Sequence, residues 1–151
     1  MNLKDKKFVL VGGAGLIGSH TVDRLIKEDV NEVLIYDNMQ RGSEENLHDA
    51  IKDPRVKIYD VGGDIMQADI LQSAFEGADG VFHFAALWLL QCHDYPRSAF
   101  DVNVRGTFNV MEACVAQGVK RLVSSSSASV YGDAVREPMD EDHPYNNKNF
   151  Y

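Results

Sequence analysis

Cations are in short supply in this chain. Its 15 Lys and Arg are outnumbered by 23 Asp and Glu, leaving a formal charge of -8, and they are scattered along the sequence. Nucleic-acid binding needs a basic stripe to neutralise phosphates, so no nucleic-acid partner is expected. Cysteine is scarce too: Cys92 and Cys114 are the only 2 and have no CxxC spacing, which fits a reduced, cytoplasmic setting and offers no metal site. No apolar run reaches the roughly 18 residues of a membrane span. The basic start, Met1 to Lys7, runs into only about five apolar residues before the glycines, too few for a signal-peptide core. Low-complexity segments, internal repeats and interdomain linkers are missing as well. What remains, with 44% hydrophobic and 25% charged residues in 151, has the balance of an ordinary globular chain. At that length folding buries roughly 68–70% of the unfolded surface, enough for one real core.

Five short apolar, β-rich runs read as strands: Phe8–Val11, Glu32–Tyr36, Val56–Tyr59, Gly80–Phe84 and Arg121–Ser125. Between them lie helical patterns. Leu16–Asp29 carries Leu16, Ile17, Val22, Leu25 and Ile26 at core-facing spacing; a second helix covers Ala68–Phe75 and stops at Gly77; the longest runs from about Arg97 to Gln117, with Gly118 just past its end. Strands alternating with helices imply βαβ units and a parallel sheet with right-handed crossovers. Residues 132–151 hold Pro138, Pro144, three asparagines and several acids and read mostly as loop.

The run Phe8-Val9-Leu10-Val11 leads straight into Gly12-x-x-Gly15-x-x-Gly18, and a helical pattern begins at once. That strand–turn–helix setting is what a dinucleotide-binding glycine loop requires. The first glycine permits the tight turn, the second lets backbone approach a pyrophosphate, and the third allows close helix–strand packing. Leu16 and Ile17 open the helix whose unpaired N–H groups face the phosphates. No Gly-Lys-Ser/Thr follows, so a P-loop is excluded. Asp37, in Tyr36-Asp37-Asn38 at the end of the second strand, lies 37 − 18 = 19 residues past the last glycine, matching a ribose-binding acid about 20 residues on. Its carboxylate accepts from ribose hydroxyls and repels a 2′-phosphate, which favours NAD over NADP. Arg41, close by, either points elsewhere or faces the adenosine phosphates.

The GxxGxxG spacing, within the stretch VGGAGLIGSH at Val11–His20, resembles the extended class of the short-chain dehydrogenase/reductase superfamily. Four later stretches are similar to the same class: Gly63-Asp64-Ile65; His83-Phe84-Ala85-Ala86; Asn103 with Gly106-Thr107, like NxxGT; and Ser124 to Gly132, like SSxxVYG. The resemblance spans all 151 residues but only the front half of a family member. It implies a Rossmann-type doubly wound parallel sheet of about five strands over residues 1–151, with the family's carboxy-terminal part and substrate domain absent. The activity it implies is that of an NAD-dependent nucleotide-sugar epimerase or dehydratase, an enzyme that moves a hydride transiently onto tightly bound NAD. Cofactor contacts carry over to Gly12, Gly15, Leu16, Ile17, Gly18, Asp37, Asn38, Asp64, Ile65, Phe84, Ala85, Ala86, Asn103 and Ser125. The catalytic serine matches Ser127, and the tyrosine that takes the substrate's proton matches Tyr151.

His83, inside an apolar strand, reads as a packed, hydrogen-bonded histidine rather than a base. The family's YxxxK lysine, which lowers the tyrosine's pKa, has no counterpart: Tyr145 has Asn149 at that offset, and Tyr151 is the last residue given. Trp88 stands near a position where some sugar epimerases of the family carry a lysine. The resemblance also implies a homodimer, with the Arg97–Gln117 helix as the contact face. A non-catalytic NAD-binding module is the alternative to an enzyme.

Overall fold

The computed structural model describes residues 2–148, 150 and 151; Met1, at the head of the basic start, and Asn149, at the lysine offset from Tyr145, lie outside them. Five strands form: β1 (Lys7–Val11), β2 (Glu32–Tyr36), β3 (Val56–Ile58), β4 (Gly80–His83) and β5 (Arg121–Ser124). They pair in parallel in the order β3-β2-β1-β4-β5. The fold is therefore an α/β Rossmann-type sheet whose strand order switches direction between β1 and β4. In such sheets ligands bind outside the carboxyl ends of the strands at that switch point.

Both faces of the sheet are covered, which is why β1 reads as an unbroken apolar run. Phe8 and Leu10 pack on one side with Val22 and Leu25 of α1 (Leu16–Leu25), together with Leu47 and Ala50. Val9 and Val11 pack on the other, with Leu71 and Ala74 of α2 (Ala68–Ala74) and with Val110, Ala113 and Cys114 of α5 (Thr107–Ala116). Burial pushes the Cys114 thiol up to about 11, so it is an inert part of the core. No helix among the described residues is long and apolar enough to cross a membrane.

Three helical expectations need correction. The core face of α1 is Gly18, Ser19, Val22 and Leu25, whereas Leu16 and Ile17 are 74% and 61% exposed. They sit on the first turn, above the glycine loop and beyond the edge of the sheet. That helix also ends at Leu25 rather than Asp29; the guanidinium of Arg55 donates to the Ile26 and Glu28 carbonyls at 2.6 and 2.9 Å and ends the turn there. The long helix is not one regular element. It runs through α4 (Pro96–Ala99), a widened π-helical segment (Phe100–Gly106) and α5, and is preceded by a short α3 (Leu89–Asp94) that periodicity did not reveal. The π turn adds a residue to the helical repeat, which shifts the stripe that a strict 3.6 period would extrapolate.

Beyond Gly132 the described residues form neither helix nor strand. They fold back over Tyr131: the Asn146 N–H donates to the Val130 carbonyl at 2.9 Å, Tyr145 stacks on Tyr131 at 5.8 Å, and His143 meets Tyr131 edge-on at 5.4 Å. The His143 Nε2 accepts from the Val135 N–H at 3.1 Å in a 2% exposed position, which makes it the internal anchor of this loop.

Candidate functional site

A cleft of about 600 Å³ opens at the carboxyl ends of β1, β2 and β4, within the roughly 300–1,000 Å³ of small-molecule sites. Of the residues named from sequence, Gly12, Gly15, Leu16, Ile17, Gly18, Asp37, Asn38, Asp64, Ile65, Phe84, Ala85, Ala86 and Tyr151 line it; Asn103, Ser125 and Ser127 do not.

The three loop glycines differ in what confines them. Gly12 has φ +82°, and a Cβ there would lie 2.6 Å from the Ala85 nitrogen; at Gly18 it would lie 2.2 Å from the Gly12 carbonyl oxygen. Protein backbone therefore demands both. At Gly15 the nearest atom to an added Cβ is 3.4 Å away, and φ is -75°, so neither packing nor backbone conformation requires glycine there. Gly15 instead borders open cleft at the N-terminus of α1, a helix with no side-chain cap and no acid in its first turn. A pyrophosphate fits that cradle: it meets unpaired N–H groups at the positive helix end, and any side chain at position 15 would occupy its space.

Asp37 is held before any ligand arrives. Its two carboxylate oxygens accept from the Ala14 and Met39 N–H groups, each at 2.9 Å, joining the end of β2 to the glycine loop. Each oxygen keeps a further acceptor site for a ribose hydroxyl. On the adjoining wall, the Tyr36 hydroxyl donates to the Asp64 carbonyl and the Asn109 amide to the Ile65 carbonyl, both at 2.9 Å. Asn109 was not singled out from sequence; its signal, an amide on an otherwise apolar helix face, was present but pointed to no partner. Burial pushes the Tyr36 phenol up to about 12, so it remains a donor.

His83 is 3% exposed, and desolvation holds its imidazole down at about 4. At neutral pH it is uncharged, its Nε2 is 3.0 Å from the Thr107 hydroxyl, and its Nδ1 has no partner among the described residues. It closes β4 directly before Phe84 and Ala85, which line the cleft. Asn103, in the π segment, spends its amide within the protein. Its Oδ1 accepts from the Leu87 N–H at 2.7 Å, and its Nδ2 donates to the Leu87 carbonyl at 3.0 Å and to the Phe150 carbonyl at 3.1 Å. That ties the loop after β4 to the segment bearing Tyr151. The Ser127 Oγ accepts from the Ser129 N–H at 3.1 Å at the start of a single 3-10 turn, Ala128–Tyr131, and Ser125 is exposed. Among the described residues no group of three or more His, Cys, Asp or Glu could hold a metal ion.

Comparison with known proteins agrees with the fold. The 3-beta hydroxysteroid dehydrogenase/isomerase family matches residues 9–150. The UDP-glucose 4-epimerase of Lactobacillus helveticus is 38% identical over 148 residues, covering 96% of this chain and 42% of the relative. The solved UDP-N-acetylglucosamine 4-epimerase from Methanobrevibacter ruminantium, in complex with UDP-N-acetylmuramic acid, superposes with TM-score 0.87 at 34% identity, covering 98% of this chain and 46% of that one. The dTDP-glucose 4,6-dehydratase DesIV of Streptomyces venezuelae, with NAD and TYD bound, gives TM-score 0.87 at 31% identity, over 96% and 47%. This chain thus spans less than half the length of each.

Proposed function

This chain belongs to the 3-beta hydroxysteroid dehydrogenase/isomerase family, within the extended short-chain dehydrogenase/reductases, and from that membership we propose that it forms the NAD-holding part of a nucleotide-sugar epimerase or dehydratase. Gly15 carries the assignment: it is the one loop glycine that the protein's own packing leaves unexplained and that a phosphate explains.

Asp37 would hold the adenosine ribose of the dinucleotide, Asp64 and Ile65 its adenine, and Gly15, Leu16 and Ile17 its pyrophosphate. Burying those two exposed apolar side chains under the cofactor removes apolar surface from water, which strengthens retention. Asp37 favours NAD over its 2′-phosphorylated form through charge repulsion. Bound NAD supplies the hydride acceptor. Ser127 holds the Ser129 N–H with an oxygen lone pair, which leaves its hydroxyl proton to donate to the sugar oxygen. Tyr151, at the rim of the cleft, takes the proton from the sugar hydroxyl. Both thiols are free and buried, consistent with a reducing cytoplasm. The exposed apolar stripe of Val104, Phe108, Met111 and Val115 is the face through which a second copy docks.

A non-catalytic NAD module is the second reading, favoured by the position of Ser127 outside the cleft lining. Titration of the protein with NAD, followed by incubation with UDP-glucose and dTDP-glucose, separates the two. NAD binding with appearance of reduced nicotinamide or an epimerised sugar supports the enzyme. Binding without turnover supports the module, and absence of binding overturns both.

A further inference from the structure

The strand order places β1 between β2 and β4. Neighbouring strands lie about 4.8 Å apart, so the loops that follow β2 and β4 start roughly 10 Å from each other, on either side of the glycine loop. Arg41, from the loop after β2, nevertheless stacks its guanidinium over the Trp88 ring, from the loop after β4, at 5.0 Å. A contact between those two loops passes above the end of β1, where Gly12 to Gly18 lie. Both residues line the cleft, and the charged side chains in that lining are Asp37, Asp64 and Arg41. Arg41 is thus the single cation facing the cleft among the described residues, and it makes no ion pair with Asp37 or with any other described carboxylate. An arginine held on an aromatic face without a counter-ion, in a cleft with two carboxylates, is poised for an anionic ligand.

We propose that Arg41, preset by stacking on Trp88 across the glycine loop, is the cation that pairs with the pyrophosphate of the bound dinucleotide. This rests on the assignment of the cleft to NAD. It adds a phosphate ligand from a side chain to the N–H groups of α1, and it gives Trp88 a positioning role. The planar guanidinium can stack on the indole while its edge N–H groups reach phosphate oxygens, which an ammonium does less well.

The test is isothermal titration with NAD, ADP and NADP of the protein and of Arg41→Ala, Arg41→Lys, Trp88→Phe, Trp88→Leu and the Arg41→Ala/Trp88→Leu double variant, with thermal melts as the folding control. Arg41→Ala should weaken NAD and ADP alike by about tenfold at low salt. The deficit should shrink to about twofold near 1 M salt, where screening acts over about 3 Å. Arg41→Lys should recover part of the loss. Trp88→Leu should cost about threefold, Trp88→Phe less, and Trp88→Leu nothing further once Arg41 is alanine. Unchanged ADP and NAD affinity in Arg41→Ala, or a deficit independent of salt, overturns the proposal. A loss confined to NADP identifies the 2′-phosphate as the partner and equally overturns it. Full additivity in the double variant removes the positioning role of Trp88. If the unaltered protein binds neither NAD nor ADP, the assignment of the cleft itself fails, an outcome distinct from all of these.

Discussion

The two ends of the site are built differently. Around β1, α1 and β2 the groups are set by backbone: Gly12 and Gly18 are locked against main-chain atoms, Asp37 is bonded to two N–H groups, and the strands behind them are buried from their second residue on. Around β5 and the segment to Tyr151, β5 is only part-buried at Leu122, Ser125 is exposed, and the chain is held by a few side-chain anchors, chiefly Asn103 and His143. The first end is organised by main-chain atoms that leave no room for an added atom at Gly12 or Gly18. The second depends on a few side-chain hydrogen bonds and ring contacts and so is softer. Under the proposed function, an end set in advance by backbone would serve long retention of the cofactor, and an end held by a few bridges would serve admission of a substrate.

The largest effect that separates the ends is expected at Gly18. Gly18→Ala places a Cβ 2.2 Å from the Gly12 oxygen and should lower unfolding free energy by about 4 kcal/mol or more in urea melts. An equally large loss at Ser125→Val, where the side chain is exposed, would erase the contrast. Next is pH. Burial favours the neutral imidazole of His83 in the folded state, whereas the unfolded chain protonates near 6.5. Stability is therefore full above about pH 6.5 and falls as pH drops towards 4, by about 3 kcal/mol in total. His83→Gln should flatten that part of the curve, and an unchanged slope would show that the surroundings of His83 are wetter than its burial implies.

Gly15→Val should leave the melting temperature within about 2 °C yet weaken NAD at least 100-fold, about 2.7 kcal/mol, by calorimetry. Folding loss comparable to that of Gly18→Ala would remove the distinction between packing and ligand glycines. Asn103→Ala leaves the Leu87 N–H without its partner and the Leu87 carbonyl with only the weak Cys92 thiol donor, and should cost about 2 kcal/mol. Amide exchange near Phe150 should speed up while that around Asp37 does not. The smallest stability effect is at Ser127→Ala, below about 1 kcal/mol, with NAD affinity unchanged and any nucleotide-sugar turnover reduced at least 100-fold. Turnover that survives would take the hydroxyl out of the chemistry.

How much was legible in the chain follows the same division. Strand cores and the order of elements came through because Phe8–Val11 and Glu32–Tyr36 are apolar on both faces, a pattern with few alternatives. Leu16 and Ile17 were misread as core because periodicity ranks positions on a helix but not where its first turn meets the edge of a sheet. The π segment escaped because one extra residue per turn leaves no compositional mark.

The amino-acid order by itself determined the glycine loop, the acid 19 residues past it and the alternation of strand and helix, since residue type, spacing and apolar period are all written along the chain. Only the tertiary structure decided that Arg41 crosses to Trp88, that Asn103 spans Leu87 and Phe150, and that Gly15, unlike Gly12 and Gly18, is not confined by packing. Those relations join residues up to 47 positions apart, and their partners exist only once the parallel sheet has brought separate strand ends to one edge.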